Sequence, residues 1–142
     1  MLKNSYTSQV LNIHDFTILV SGIISGIILF QSAIVAPSVF KTLNADQASP
    51  FLRSVFPKLF RLVAILGALV LIATLIFDTN SFYKYFIFSA TLILPLICAA
   101  IVPATNAARD SGNDKTFRIY HTISVLLTIL VLLLNLTWIF FI

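Results

Sequence analysis

The sequence predicts an all-α integral membrane protein, a four-helix bundle running up-down-up-down. Three observations predict it: four long apolar stretches, little charge, and a lopsided placement of that charge. Apolar residues make up 59% of the 142 and charged residues only 10%, against about 45–50% and about 25% in soluble domains. Mean hydropathy is +1.03. So few charges cannot cover a water-soluble surface of this size, and the solvent for most of the chain is therefore lipid. The length suits a single domain.

Residues 1–13 are polar and form a tail or a short surface helix, and 14–142 form the transmembrane domain. The four apolar stretches run at about 16–39, 59–77, 85–103 and 119–142. Each approaches or exceeds the ~20 residues that cross ~30 Å of hydrocarbon at 1.5 Å per residue. None has Asp, Lys or Arg in its central part. Backbone groups in lipid must be satisfied within the segment, which leaves helices or a closed barrel. Barrel strands alternate apolar and polar; Ile18, Leu19 and Val20 do not, nor does the run 130–134. The first stretch exceeds the ~7–15 residues of a signal-peptide core. Pro37 also follows the small residues near Ala36, so the segment is expected to be retained.

Ser49 and Pro50 read as an N-cap and a first-turn proline. Phe51, Leu52, Val55, Phe56, Leu59 and Phe60 then recur at helical spacing, with Arg53 and Lys58 between them. Residues 50–58 are thus an amphipathic lead-in along the membrane surface, bent near Pro57, or a plain extension of the second helix.

Basic residues set the expected orientation. The first and third connections hold seven (Lys41, Arg53, Lys58, Arg61, Arg109, Lys115, Arg118), and the other side only Lys3 and Lys84. Positive charge collects on the cytoplasmic side, so both termini lie outside, and the short connections suit a bacterial inner membrane. Tyr83, Tyr85 and Trp138 then fall at the outer interface. The net charge of +4 is explained by this asymmetry and indicates no nucleic-acid partner; the partners expected are membrane lipids, with a homo-oligomer or a larger membrane complex open. Cys98 is the only cysteine and indicates nothing about redox compartment.

Small residues recur in the first helix at Ser21, Gly22, Ser25, Gly26, Ala33 and Ala36. Gly22 and Gly26 form a GxxxG pair, which lets helices approach closely; the expectation is packing within the bundle, with homodimerisation as the alternative. On the fourth helix His121, Thr128 and Asn135 are spaced by sevens and share a face near Ser124. Such a stripe makes interhelical hydrogen bonds or lines a small-molecule or lipid pocket. His14 and His121 sit at opposite ends, roughly 30 Å apart, and cannot share a metal or haem iron.

The densest gathering is at the cytoplasmic mouth. Pro103, Asn106 and Arg109 end the third helix, Arg118 and His121 begin the fourth, and the loop between is short. The candidate ligand-binding residues are Pro37, Asn106, Arg109, His121 and Ser124. Asn106 and Ser124 would hydrogen-bond a polar group, Arg109 would supply charge, His121 would donate, accept or titrate, and Pro37 would shape the first helix. The same charges also serve as an orientation signal without any ligand. The sequence has no CxxC, HExxH, Gly-rich phosphate loop or GxSxG. It has no ionisable residue at membrane depth, as a proton-coupled pump needs. The residues call for no catalytic group and no cofactor.

Three local patterns resemble the TMEM205-like family, also known as the DUF4149 domain. Residues 26–40 carry Gly26, Phe30, Pro37 and Phe40 as G-x3-F-x6-P-x2-F. Residues 51–60 carry Arg53-x-x-Phe56-Pro57 before a long apolar helix. Pro103-x-x-Asn106 leads to Phe117-x-x-x-His121-x-x-Ser124. The resemblance implies a small four-helix membrane protein without an assigned activity. A fainter likeness is to HemJ-type protoporphyrinogen oxidases, through His14, Lys84, Phe117 and Arg118. It implies a haem-linked oxidoreductase with His14 as axial ligand. The chain departs from that pattern at Pro37–Ser38 and at His121–Thr122.

Overall fold

A computed structural model describes the backbone of residues 2–78 and 82–141, and the side chains of residues 13–78, 82–138 and 140. Helix α1 spans Leu2–Phe30, followed by a π-helical segment Gln31–Val35 and helix α2, Ala36–Thr42. Helices α3 (Ala45–Phe77), α4 (Phe82–Asp110) and α5 (Asp114–Thr137) follow, and a 3₁₀ turn covers Trp138–Phe141. Among the described residues there is no strand, and four helices are long and apolar enough to span a membrane. The protein is an all-α four-helix membrane bundle. Helix α3 packs most extensively on α4 and α4 on α5, while α1 closes the ring against α3 and α5.

The helices outrun their apolar cores, because caps and turns end them rather than polarity. Residues expected as a tail or a short surface helix continue α1 backward to Leu2; the side chains of residues 1–12 lie outside the described set. Helix α3 starts at Ala45, not at Pro50. Its cap is Asn44, whose side chain accepts from the Gln47 N–H at 3.0 Å. The segment 50–58 is therefore an unbroken part of a 33-residue helix, longer than the ~20 residues of a crossing. Helix α4 continues past Pro103 to Asp110 and ends in a tight turn. There the Asn113 N–H donates to the Ala108 carbonyl at 2.9 Å, with Gly112 at φ +68°. Only glycine takes that left-handed conformation without strain. Asn113 then caps α5 by accepting from the Thr116 N–H at 3.1 Å.

The first crossing is not a uniform helix. The Ala36 N–H bonds to the Gln31 carbonyl, one residue further back than in an α-helix. The cause lies at Pro37. A proline has no N–H for the ladder, and its ring collides with the carbonyl four residues earlier. One widened turn lets the rod continue past it. The same segment holds Gln31, buried with its side-chain nitrogen unpartnered.

The core is a column of Val20, Ile24 and Ile28 from α1, Val63 and Val70 from α3, Ile87 and Phe88 from α4, and Val131 from α5. Large apolar residues also cover the outside, with Leu19, Ile65, Ile76, Phe86 and Leu126 each at least 58% exposed. In water such a surface would aggregate; in lipid it is solvated.

The glycine of close approach is not the one expected. Gly22 and Gly26 face outward, and a Cβ at either would meet nothing within 4 Å. At Gly67 a Cβ would lie 2.8 Å from the backbone carbonyl carbon of Thr91. Helices α3 and α4 thus touch backbone to backbone, because dispersion contact rather than hydrophobic exclusion holds helices together in lipid. Gly67→Ala is expected to destabilise the protein by about 1–3 kcal/mol through overpacking. Gly22→Ala and Gly26→Ala should be neutral or stabilising by up to about 1 kcal/mol. Thermal unfolding of the three variants in one detergent checks the contrast.

Candidate functional site

The two ends of the bundle differ in chemistry. The basic end holds the α2–α3 and α4–α5 connections, and the terminal end holds residue 13, the α3–α4 connection and Trp138.

At the basic end, Arg109 lies over the Phe117 ring, 4.8 Å from its centroid, and Phe117 stacks on His121 at 5.7 Å. The three form a short column one turn either side of the α4–α5 connection. Arg109 also lies 3.9 Å from Asp114, with both side chains well exposed. Arg53 of α3 forms a two-pronged ion pair with Asp110, one arm donating at 2.9 Å, and so ties the protruding start of α3 to the end of α4. Asn106 is half-buried and Pro37 exposed. Ser124 sits deeper, its carbonyl accepting from Thr128 at 2.7 Å and facing the Cys98 thiol at 3.7 Å. Arg109 and His121 are thus brought into one stack. Both are exposed, and neither the groove beside Trp138 nor the mid-bundle crevice takes a wall from Pro37, Asn106, Arg109, His121 or Ser124.

The terminal end is where polar side chains are buried. Trp138 is 1% exposed, so it fills the end of the bundle instead of anchoring at the lipid surface. Its indole N–H donates to Ser21 Oγ at 2.9 Å. His14 meets its ring edge-on at 6.0 Å, Phe88 at 5.7 Å, and the Lys84 ammonium lies 5.7 Å from its centroid. Lys84, 5% exposed, donates to Asp78 at 2.6 Å, and the Asp78 carbonyl accepts from the Tyr85 hydroxyl at 2.9 Å. One layer deeper, the Asn135 amide nitrogen donates to Thr91 Oγ1 at 2.8 Å and to the Val131 carbonyl at 2.9 Å. A groove of about 130 Å³ opens beside Trp138 between α1 and α5, lined by Ile18, Ser21, Gly22, Ser25, Asn135 and Leu136. A second crevice, at mid-bundle between Phe60, Pro95, Cys98 and Val131, measures about 10 Å³, room for one water at most.

The family of unknown function called DUF4149 matches residues 19–114. The chain belongs to the DUF4149 family. No curated protein and no solved structure matches it. The matched stretch of this DUF4149 protein runs from α1 into the first residue of α5, so it includes Pro37, Asn106 and Arg109 and leaves out His121, Ser124, Asn135 and Trp138. Family membership supports the multipass architecture and names no activity.

The terminal end does not fit a haem. His14 is packed against Trp138, and Lys84 is engaged by Asp78. The groove beside them falls short of the ~300 Å³ at which small-molecule pockets begin. Among the described residues no group of three or more His, Cys, Asp or Glu is placed to hold a metal ion.

Sequence reasoning missed the convergence on Trp138. His14, Ser21, Lys84 and Trp138 come from three helices, and no spacing along one helix relates them. The one available signal was Lys84, a lone cation at the very edge of an apolar stretch, which lipid tolerates only with a partner. Lys84→Met is expected to destabilise the protein by about 3 kcal/mol, because Asp78 keeps its burial and loses its ammonium. Trp138→Phe keeps an aromatic ring but loses the bond to Ser21 and part of the packed volume, and should cost about 2 kcal/mol. Thermal melts in detergent distinguish the two; equal losses would mean that packing alone matters at this end.

Proposed function

We propose that this DUF4149 protein is a non-enzymatic membrane module whose basic end faces the cytoplasm of a bacterium and holds the phosphate of anionic lipids. The carrying observation is the electrostatic inventory of that end: seven basic side chains stand against three aspartates, Asp46, Asp110 and Asp114. Arg53 is occupied by Asp110, and Arg109 has only a loose, exposed neighbour in Asp114. Among the described residues Lys41, Lys58, Arg61, Lys115 and Arg118 are exposed and have no carboxylate within ion-pair reach. Basic groups at a membrane surface each contribute about 1 kcal/mol toward anionic lipid. The column of Arg109, Phe117 and His121 gives that charge a fixed edge, with the guanidinium and the imidazole both held against one ring.

A second reading, self-association or membership of a larger membrane complex, is favoured by Gly22 and Gly26 facing outward with open space before them.

Native mass spectrometry from nanodiscs containing phosphatidylglycerol and phosphatidylcholine tests the first reading and reports subunit count as well. Retention of phosphatidylglycerol over phosphatidylcholine is expected. Replacing Arg109 and Arg118 together by Gln should weaken it by about tenfold or more, at ~1 kcal/mol for each charge. Equal retention of the two lipids would reject the reading. Orientation is checked with Ser111→Cys in a Cys98→Ala background, where a membrane-impermeant maleimide should label only from the cytoplasmic face.

A further inference from the structure

At the terminal end, away from the basic lipid site, the groove between α1 and α5 carries two buried polar atoms without partners. They are Ser25 Oγ and Asn135 Oδ1, on residues 3% and 4% exposed, and both residues line the groove. An unpaired polar atom inside a membrane protein is costly, since neither water nor lipid tails replace the missing bond.

The orientation of the Asn135 amide follows from its neighbours. Thr91 gives its hydroxyl hydrogen to the Ile87 carbonyl at 2.9 Å, so towards Asn135 it can only accept. The Val131 carbonyl also only accepts. Both N–H groups of the Asn135 amide are therefore committed, at 2.8 and 2.9 Å, and the atom left over is the acceptor Oδ1. Ser25 Oγ can donate and accept. The groove thus asks for a hydrogen-bond donor at Asn135 and offers a hydroxyl at Ser25.

The remaining walls are apolar or lack side chains. Ile18 and Leu136 supply hydrocarbon, and Trp138 supplies a ring held in place by Ser21. Gly22 leaves the lipid-facing side open, with nothing within 4 Å of where its Cβ would stand. Among the described residues no charged side chain lines the groove, which disfavours a charged occupant. Its volume of about 130 Å³ is several times the ~10–15 Å³ that one water needs, enough for a hydroxyl and the first carbons attached to it. We propose that this groove binds the hydroxyl head of an uncharged, apolar-bodied molecule dissolved in the membrane, which enters sideways past Gly22. Its O–H donates to Asn135 Oδ1, its oxygen accepts from Ser25 Oγ, and its body lies against Leu136 and the surrounding lipid.

Trp138 is the only tryptophan in the chain, so its fluorescence reports this groove alone. The probes are hexadecanol brominated near its hydroxyl and the matching methyl ether, titrated into phosphatidylcholine nanodiscs holding the intact protein. The ether can accept but not donate. Saturable quenching by the alcohol is expected at about fivefold lower mole fraction than by the ether, the worth of one hydrogen bond. Asn135→Leu should erase that preference. Asn135 also supports Thr91, so Gly22→Leu is the second variant; its side chain grows into open space and should abolish saturable quenching by both probes while the bundle stays folded. Equal quenching by alcohol and ether in the unmodified protein would overturn the proposal. So would quenching without saturation, the result expected if only water fills the groove, or quenching unchanged by Gly22→Leu. A dimer in native mass spectrometry that Gly22→Leu converts to monomer, with no preference for the alcohol, would assign the groove to a second copy of the chain and also overturn it.

Discussion

A polar group surrounded by hydrocarbon must find its hydrogen-bond partner within the protein, and that requirement organises this molecule. Its threonines show the simplest response. Thr74, Thr91, Thr105 and Thr128 each donate to the carbonyl one turn back, so each hydroxyl is satisfied inside its own helix. Asn135 cannot do this alone. It reaches across to Thr91 and thereby pins α5 to α4. Lys84 goes further, since an ammonium needs a carboxylate, and Asp78 at the end of α3 supplies it. Polarity increases from helix centre to helix end, and so does the reach of the bonds that satisfy it.

Helix contact follows from the same solvent. Apolar tails outside compete on equal terms with apolar side chains inside, so association rests on close approach and shape. The contact of Gly67 with the Thr91 backbone is the tightest glycine approach in the bundle, and Asn135 bonds to the side chain of the same Thr91. Backbone contact and hydrogen bond therefore reinforce one another at a single level of the bundle. Pro37 has the opposite effect. It opens the first helix by one residue, and Gln31 is buried at the start of that widened turn.

The two ends consequently offer different chemistry to the membrane. The basic end is charged and exposed, and its seven basic side chains outnumber its three aspartates. The terminal end is paired and filled by an indole, except for a shallow groove where two acceptor oxygens, one of them also a donor, stand uncompensated. Membership of the DUF4149 family fits the multipass architecture in which both occur.

Composition and charge placement alone determined that this chain is helical, crosses a membrane four times, and gathers its cations at one end. These are properties of solvent and length, additive along the chain, so a local reading recovers them. That Arg109 and His121 lie near one another was legible for a similar reason, since a three-residue turn joins their helices; the Phe117 ring that both touch was not. Which face of a helix points inward was not legible. Gly22 and Gly26 look like a packing motif, yet they face out while Ser21 and Ser25 face in; a membrane helix is apolar on all sides, so its sequence carries little amphipathic signal to choose between faces. Trp138 looked like an interfacial anchor for the same reason. The widened turn before Pro37, the approach at Gly67 and the groove at Ser25 and Asn135 were decided only when four helices met, because each depends on distances between residues that no periodicity relates.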